Sequence, residues 1–160
     1  MRLRGLDFRA DHHIRSVVEA RGTKRRGIGR RRIADGKFGR TDLKFVNDSA
    51  GNPFGLDPND PAGKDDLVSA SLKIPAGKPI KLIMHSRDVI HNFFVRELRL
   101  KQDIVPGMEI PLHFQADQIG IYEVPCSELC GLGHFQMRTT MQVMSVADFE
   151  AWKAQMLAQK

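Results

Sequence analysis

The 160-residue sequence predicts an all-β fold, a sandwich or barrel with one short helix at its C-terminal end. Three observations carry that expectation. Apolar and polar residues alternate with period two over several short segments from Leu67 onward; Gly, Pro, Asn and Asp cluster between those segments; and only the last stretch shows sustained helical spacing. The length suits one ordinary domain with added tails.

In chain order, Leu43–Asn47 reads as a short strand, and Asp48–Asp66, rich in Asn, Asp, Gly and Pro, as a long surface loop. Val68, Ala70, Leu72 and Ile74 share one face of a half-buried strand, with Ser69, Ser71 and Lys73 opposite. A turn over Pro75-Ala76-Gly77-Lys78-Pro79 leads to strands at Ile80–His85 and Val89–Val95. Ile110, Leu112, Phe114 and Ala116 alternate with Glu109, Pro111, His113 and Gln115, and Gly120–Val124 and Met137–Val146 supply two more strands. Over 147–160, capped by Ser145 or Ala147-Asp148, Phe149, Trp152 and Met156 line one helical face that packs on the barrel.

Residues 1–36 differ. Residues 1–40 hold 13 of the 25 Lys+Arg and 4 of the 19 Asp+Glu, a balance of +9 that leaves −3 for the remainder. With Arg and Gly scattered without period, this head is expected to be poorly ordered alone, beside a domain over 37–146. The mildly acidic domain suits a basic partner rather than nucleic acid. No apolar run approaches the ~20 residues that cross a bilayer, and no secretory signal is visible.

The chemistry lies in Pro125-CSELCGLGHFQM-Arg138, a Gly-punctuated loop between two strands that carries Cys126, Cys130, His134 and Met137. Thiolate, imidazole and thioether are soft or borderline donors that favour copper over magnesium or calcium. His91 stands far upstream on an otherwise apolar strand, the place from which β-sandwich copper sites draw one ligand. A mononuclear centre needs one thiolate; two thiolates with three residues between them can bridge two copper ions, each with one terminal imidazole. Separately, C-x-x-x-C is more often a disulfide or zinc half-site, His91 a core histidine and Met137 a core filler. Together as H…C-x-x-x-C-x-x-x-H-x-x-M they point to copper, with zinc as the rival.

The segments HSRDVIHNFFVRELRLKQDIVPG and GIYEVPCSELCGLGHFQM resemble the copper domain of subunit II of haem-copper cytochrome c oxidase, from about Gly36 to Trp152. The Cys/His/Met spacing is also similar to nitrous-oxide reductase, but the acidic residue in CSELC resembles the oxidase form. The resemblance implies a cupredoxin-like Greek-key barrel with a binuclear CuA centre. Cys126 and Cys130 would bridge, His91 and His134 would be terminal ligands, and Met137 and the Glu128 carbonyl would be axial. It implies that the Glu128 carboxylate reaches a magnesium ion at the junction with subunit I. It further implies electron transfer from cytochrome c to haem in subunit I, on the periplasmic face of the membrane, with membrane attachment through the complex or through helices absent from this chain. Tyr122 matches the family, Asn92 is a candidate for fixing the backbone beside His91, and Asp88, Glu97, Asp103 and Asp117 are candidates to steer a basic cytochrome.

The family's aromatic cluster before the Lys37-Phe38-Gly39 turn is missing, and Trp152 is the only Trp. Out-of-frame translation over residues 1 to about 35 is the expected cause, with a native basic arm for anionic lipid or nucleic acid as the rival. Slow electron uptake and lowered stability are the expected consequences. A copper-delivery protein and a zinc-stabilised module are the alternative functions.

Overall fold

The computed structural model describes residues 2–4, 14–20 and 39–159, apart from 48, 51, 53, 54, 65, 70 and 87. The described strands are β1 (Arg2–Arg4), β2 (Ile14–Ala20), β3 (Leu67–Val68), β4 (Leu72–Pro75), β5 (Pro79–Ser86), β6 (His91–Val95), β7 (Leu100–Ile104), β8 (Ile110–Gln115), β9 (Gly120–Pro125) and β10 (Arg138–Met144), followed by helix α1 (Val146–Ala158).

One layer runs β3-β1-β2-β5-β8, with β5 antiparallel to both β2 and β8. The other is built on β4-β10-β9, in which β10 is parallel to β4 and antiparallel to β9. The β6–β7 hairpin is joined to this second layer by a bridge between Phe93 and Cys126. That bridge sets the strand of His91 beside the first cysteine.

Period-two sequence becomes period-two burial. On β5, Ile80, Leu82 and Met84 are buried while Lys81, Ile83 and His85 are half-exposed, and they share one core with Ile74, Phe93, Val95, Ile104, Val124, Met141 and Val143. Each such side chain contributes about 1.5–3 kcal/mol on leaving water. The C-terminal helix forms as expected: Ser145 caps it, its Oγ accepting the Asp148 N–H at 3.1 Å, and Phe149, Trp152 and Met156 pack on the core. The Lys73 ammonium lies 4.9 Å from the Trp152 ring centroid.

Several local expectations are corrected. Leu43–Phe45 is a 3-10 turn, not a strand, because Asp42 turns back on it: its carboxylate accepts the Lys44 N–H and its carbonyl the Phe45 N–H. The single strand expected over 68–74 is two strands, β3 and β4; Ser69 Oγ donates to the Ser71 carbonyl at 2.8 Å and interrupts the ladder. The strand expected from Val89 starts at His91, and β7 appears where none was expected, after a turn in which Arg99 takes φ +53°. Within the basic head, β2 pairs antiparallel with β5 and with β1. Lys37 and Phe38 lie outside the described residues.

The long loop before β3 is closed by its own polar groups. Asn52 Nδ2 donates to the carbonyls of Phe45 and Leu56, and its Oδ1 accepts the Leu56 N–H. Gly39 lies so close to Gly63 that a Cβ there would sit 2.5 Å from the Gly63 Cα.

Candidate metal centre

The loop between β9 and β10 is closed at its base by the Cys126 N–H, which donates to the Met137 carbonyl at 2.9 Å. Inside it, Gly131 takes φ +124°, a conformation costly for a side chain, and so lets the chain reverse directly after Cys130. A 3-10 turn over His134–Gln136 follows, tied by the His134 N–H to the Gly131 carbonyl and the Met137 N–H to the His134 carbonyl. Met137 is thereby turned inward and buried, and His134 is left half-exposed.

The donors fall into two sets around two sulfurs. Cys126 Sγ lies 3.9 Å from His91 Nδ1 and 3.2 Å from the Glu128 carbonyl oxygen. Cys130 Sγ lies 3.4 Å from His134 Nδ1 and 2.9 Å from Met137 Sδ. The two sulfurs are 3.9 Å apart and are free thiols, far beyond the ~2.05 Å of a disulfide. His91, Cys126 and Cys130, all buried, bring ligand-type atoms within 4.8 Å of one another. All six residues named from the sequence are therefore brought together, five by side chain and Glu128 by its backbone; the Glu128 carboxylate belongs to an exposed residue.

Burial raises both thiols, but the two diverge. At Cys126 burial is outweighed by hydrogen bonds from His91 and from the Glu128 and Asn92 backbones, which bring it down to about 6. At Cys130 burial and the neighbouring Cys126 charge push it up to about 11. His91 is raised despite its burial, because Cys126 and Asp88 both favour its protonated form.

The sequence reading missed the partner of His91. His91 Nε2 lies 2.8 Å from Asp88 Oδ1, a contact signalled by the D-x-x-H spacing alone. Of the four carboxylates expected to steer a cytochrome, Asp88 holds His91, Asp103 accepts Asn92 Nδ2 at 2.6 Å, Glu97 pairs with Arg96, and Asp117 accepts Gln115 Nε2. Asn92 is therefore a tie across the β6–β7 hairpin, on the strand of His91. Tyr122 Oη donates to the Gln118 carbonyl.

Two thiols, two imidazoles and a thioether are gathered by one loop and one strand of a cupredoxin-like β-sandwich, a donor set of the kind that soft metals take. The family of cytochrome c oxidase subunit II periplasmic domains matches residues 63–144, and this chain belongs to it. Among relatives, an alternative cytochrome c oxidase subunit 2 of Bradyrhizobium diazoefficiens is 42% identical over 123 residues, 76% of this chain and 44% of its own length. A cytochrome c oxidase subunit 2 of Thermostichus vulcanus is 47% identical over 89 residues, 56% of this chain and 27% of its own. The crystal structure of the periplasmic domain of cytochrome oxidase subunit II of Bradyrhizobium japonicum superposes with a TM-score of 0.53 at 28% identity, covering 57% of this chain and 66% of that one. This chain thus spans less than half the length of the two curated relatives. No described helix is long and apolar enough to cross a membrane.

Proposed function

We propose that the domain over 37–146 is the electron-accepting part of a haem-copper terminal oxidase, taking electrons from cytochrome c and passing them to haem in subunit I on the periplasmic side of the membrane. The observation that carries this is the division of the donors into two matched sets, Cys126 with His91 and the Glu128 carbonyl, Cys130 with His134 and Met137.

That donor set fits a binuclear copper centre. Soft sulfur and imidazole exclude a hard ion, and a thioether on one sulfur favours copper over zinc. A bound copper pair supplies a one-electron couple whose charge is shared over two metals, so that little reorganisation accompanies transfer. The chain's own work is to hold the ligands still. Cys126 and Cys130 would hold both metals, His91 and His134 would each supply an imidazole to one of them, and Met137 and the Glu128 carbonyl would be the weaker donors. Burial of both sulfurs keeps water away from them. The exposed Glu128 carboxylate is suited to a magnesium ion at the contact with subunit I. Both cysteines must be reduced before metal binds, and a relative, subunit II of cytochrome c oxidase, has been crystallised as a mixed-disulfide intermediate with a thioredoxin-like protein. A reductant of that class acting on Cys126 or Cys130 is part of this reading.

The test is addition of copper to the reduced full chain. Two copper ions per chain, a purple colour and an electron-spin pattern from one unpaired electron shared between two copper nuclei are expected. A single bound zinc, or one reversibly held Cu(I), overturns the reading in favour of a structural or delivery role.

A further inference from the structure

The chain has two Asp–Pro bonds, and both lie in the loop before β3, as Asp57-Pro58 and Asp60-Pro61. Each opens a turn. The Asp57 carbonyl accepts the Asp60 N–H at 3.2 Å, and the Asp60 carbonyl accepts the Gly63 N–H at 3.0 Å, with proline at the second position of both turns. Both carbonyls that precede a proline are thus polarised by a backbone donor, the kind of contact that stabilises charge developing on a carbonyl oxygen under attack.

The nearest nucleophile for such an attack is the aspartate's own carboxylate, and in both residues it is held. Asp57 Oδ1 accepts the Asn59 N–H at 2.9 Å, and its Oδ2 lies 3.5 Å from Arg40 Nη2. Asp60 Oδ1 accepts the Ala62 N–H at 3.1 Å, while its Oδ2 accepts the Arg40 N–H at 2.7 Å and lies 3.5 Å from Arg40 Nε. All four carboxylate oxygens are engaged, and Arg40 reaches both residues.

We propose that the Asp57-Pro58 and Asp60-Pro61 bonds are latent self-cleavage sites, primed by the turn donors on their carbonyls and guarded by Arg40. Proline carries no N–H, so ring closure onto the following nitrogen is barred to these aspartates. In the remaining path a carboxylate oxygen bonds to the backbone carbonyl carbon of its own residue and forms a cyclic anhydride. The carbon–nitrogen bond breaks, and the proline nitrogen leaves with a proton taken from the acid medium. Water then opens the anhydride to a C-terminal aspartic acid, so the net change is addition of one water for each bond cut. The first cut separates residues 1–57, with β1 and β2, from the strands and loop that carry the metal ligands. No metal takes part.

The test holds the full-length, metal-free chain at one mildly acid pH at which circular dichroism shows it folded, and reads intact masses over time. Arg40→Ala is expected to cut at Asp57-Pro58 about threefold or more faster than wild type, because it loses the guanidinium on Asp57 Oδ2. The gain at Asp60-Pro61 is expected to be smaller, since the backbone N–H groups of residue 40 and Ala62 stay on that carboxylate. Asp57→Asn is expected to abolish the first cut and leave the second. In urea, wild type and Arg40→Ala are expected to cut alike, and more slowly than folded Arg40→Ala, because the turn donors exist only in the fold. Folded Arg40→Ala that cuts no faster than folded wild type overturns the guard, and one that cuts no faster than in urea overturns the priming. A first cut that persists in Asp57→Asn overturns self-cleavage. If Arg40→Ala does not fold, wild type decides: a folded chain that cuts at Asp57-Pro58 as fast as the chain in urea overturns the inference, and a slower one supports it.

Discussion

The strand that carries His91 and the loop that carries His134 hold the same side chain to opposite standards. β6 is buried along almost its whole length, is tied to β7 through Asn92 and Asp103, and has Phe93 in the core beside His91. The loop presents His134 from a 3-10 turn flanked by Leu132 at 98% and Phe135 at 78% exposure. A buried strand gives an imidazole little freedom, whereas a surface turn fixed by a few backbone bonds leaves its imidazole half-exposed.

The sulfurs serve both halves, so their loss has the largest effect. Cys126→Ser or Cys130→Ser is expected to reduce bound copper below two per chain and abolish the shared-spin spectrum, read by metal analysis and electron-spin resonance. Next, Phe93→Ala is expected to lower the unfolding free energy by about 3–5 kcal/mol. Phe135→Ala, by contrast, should stay within about 0.5 kcal/mol of wild type by the same denaturant titration. Equal losses would erase the distinction between the two regions.

A sharper comparison removes each imidazole. His91→Gly opens a sealed space and leaves Asp88 without its ring partner, which is expected to cost about 1–3 kcal/mol in metal-free protein, whereas His134→Gly should barely shift thermal unfolding. Added imidazole is then expected to restore the copper spectrum of His134→Gly but not of His91→Gly. Rescue of both would show that burial of His91 does not govern access.

The smallest effect lies in the loop before β3. The Asp60 carboxylate accepts the N–H groups of Arg40 and Ala62, which holds its pKa below the ordinary 3.8. A lowered folded-state pKa stabilises above the unfolded value and is lost as pH falls through the folded one, so these two bonds should persist to below pH 3.8. Amide shifts of Arg40 and Ala62 that change well above that pH would contradict this, and Asp60→Asn should loosen this loop without altering copper binding.

The strands most readable in advance were those with one face on the core, such as β5 and β8, because burial on one side imposes alternation on the residues themselves. β7 carries the same alternation in Leu100, Gln102 and Ile104. It went unassigned because the turn before it places Arg99, not a glycine, at positive φ. The break between β3 and β4 depends on a serine hydroxyl choosing a carbonyl two residues on, and the strands of the basic head depend on an edge far away in the sequence. Of the candidate site, the donors were legible because sulfur and imidazole at that spacing have few other uses. Asp88 was visible only as a charge.

Residue chemistry and local spacing determined that this chain is a β-sandwich with a soft-metal loop, since donor type and period-two hydrophobicity are properties of neighbouring residues. That His91 meets Cys126, and that its ring is sealed in the core beside that sulfur, was decided only when the Phe93–Cys126 bridge joined segments more than 30 residues apart. Contacts between distant segments depend on how whole sheets pack, and no short stretch of sequence carries that information.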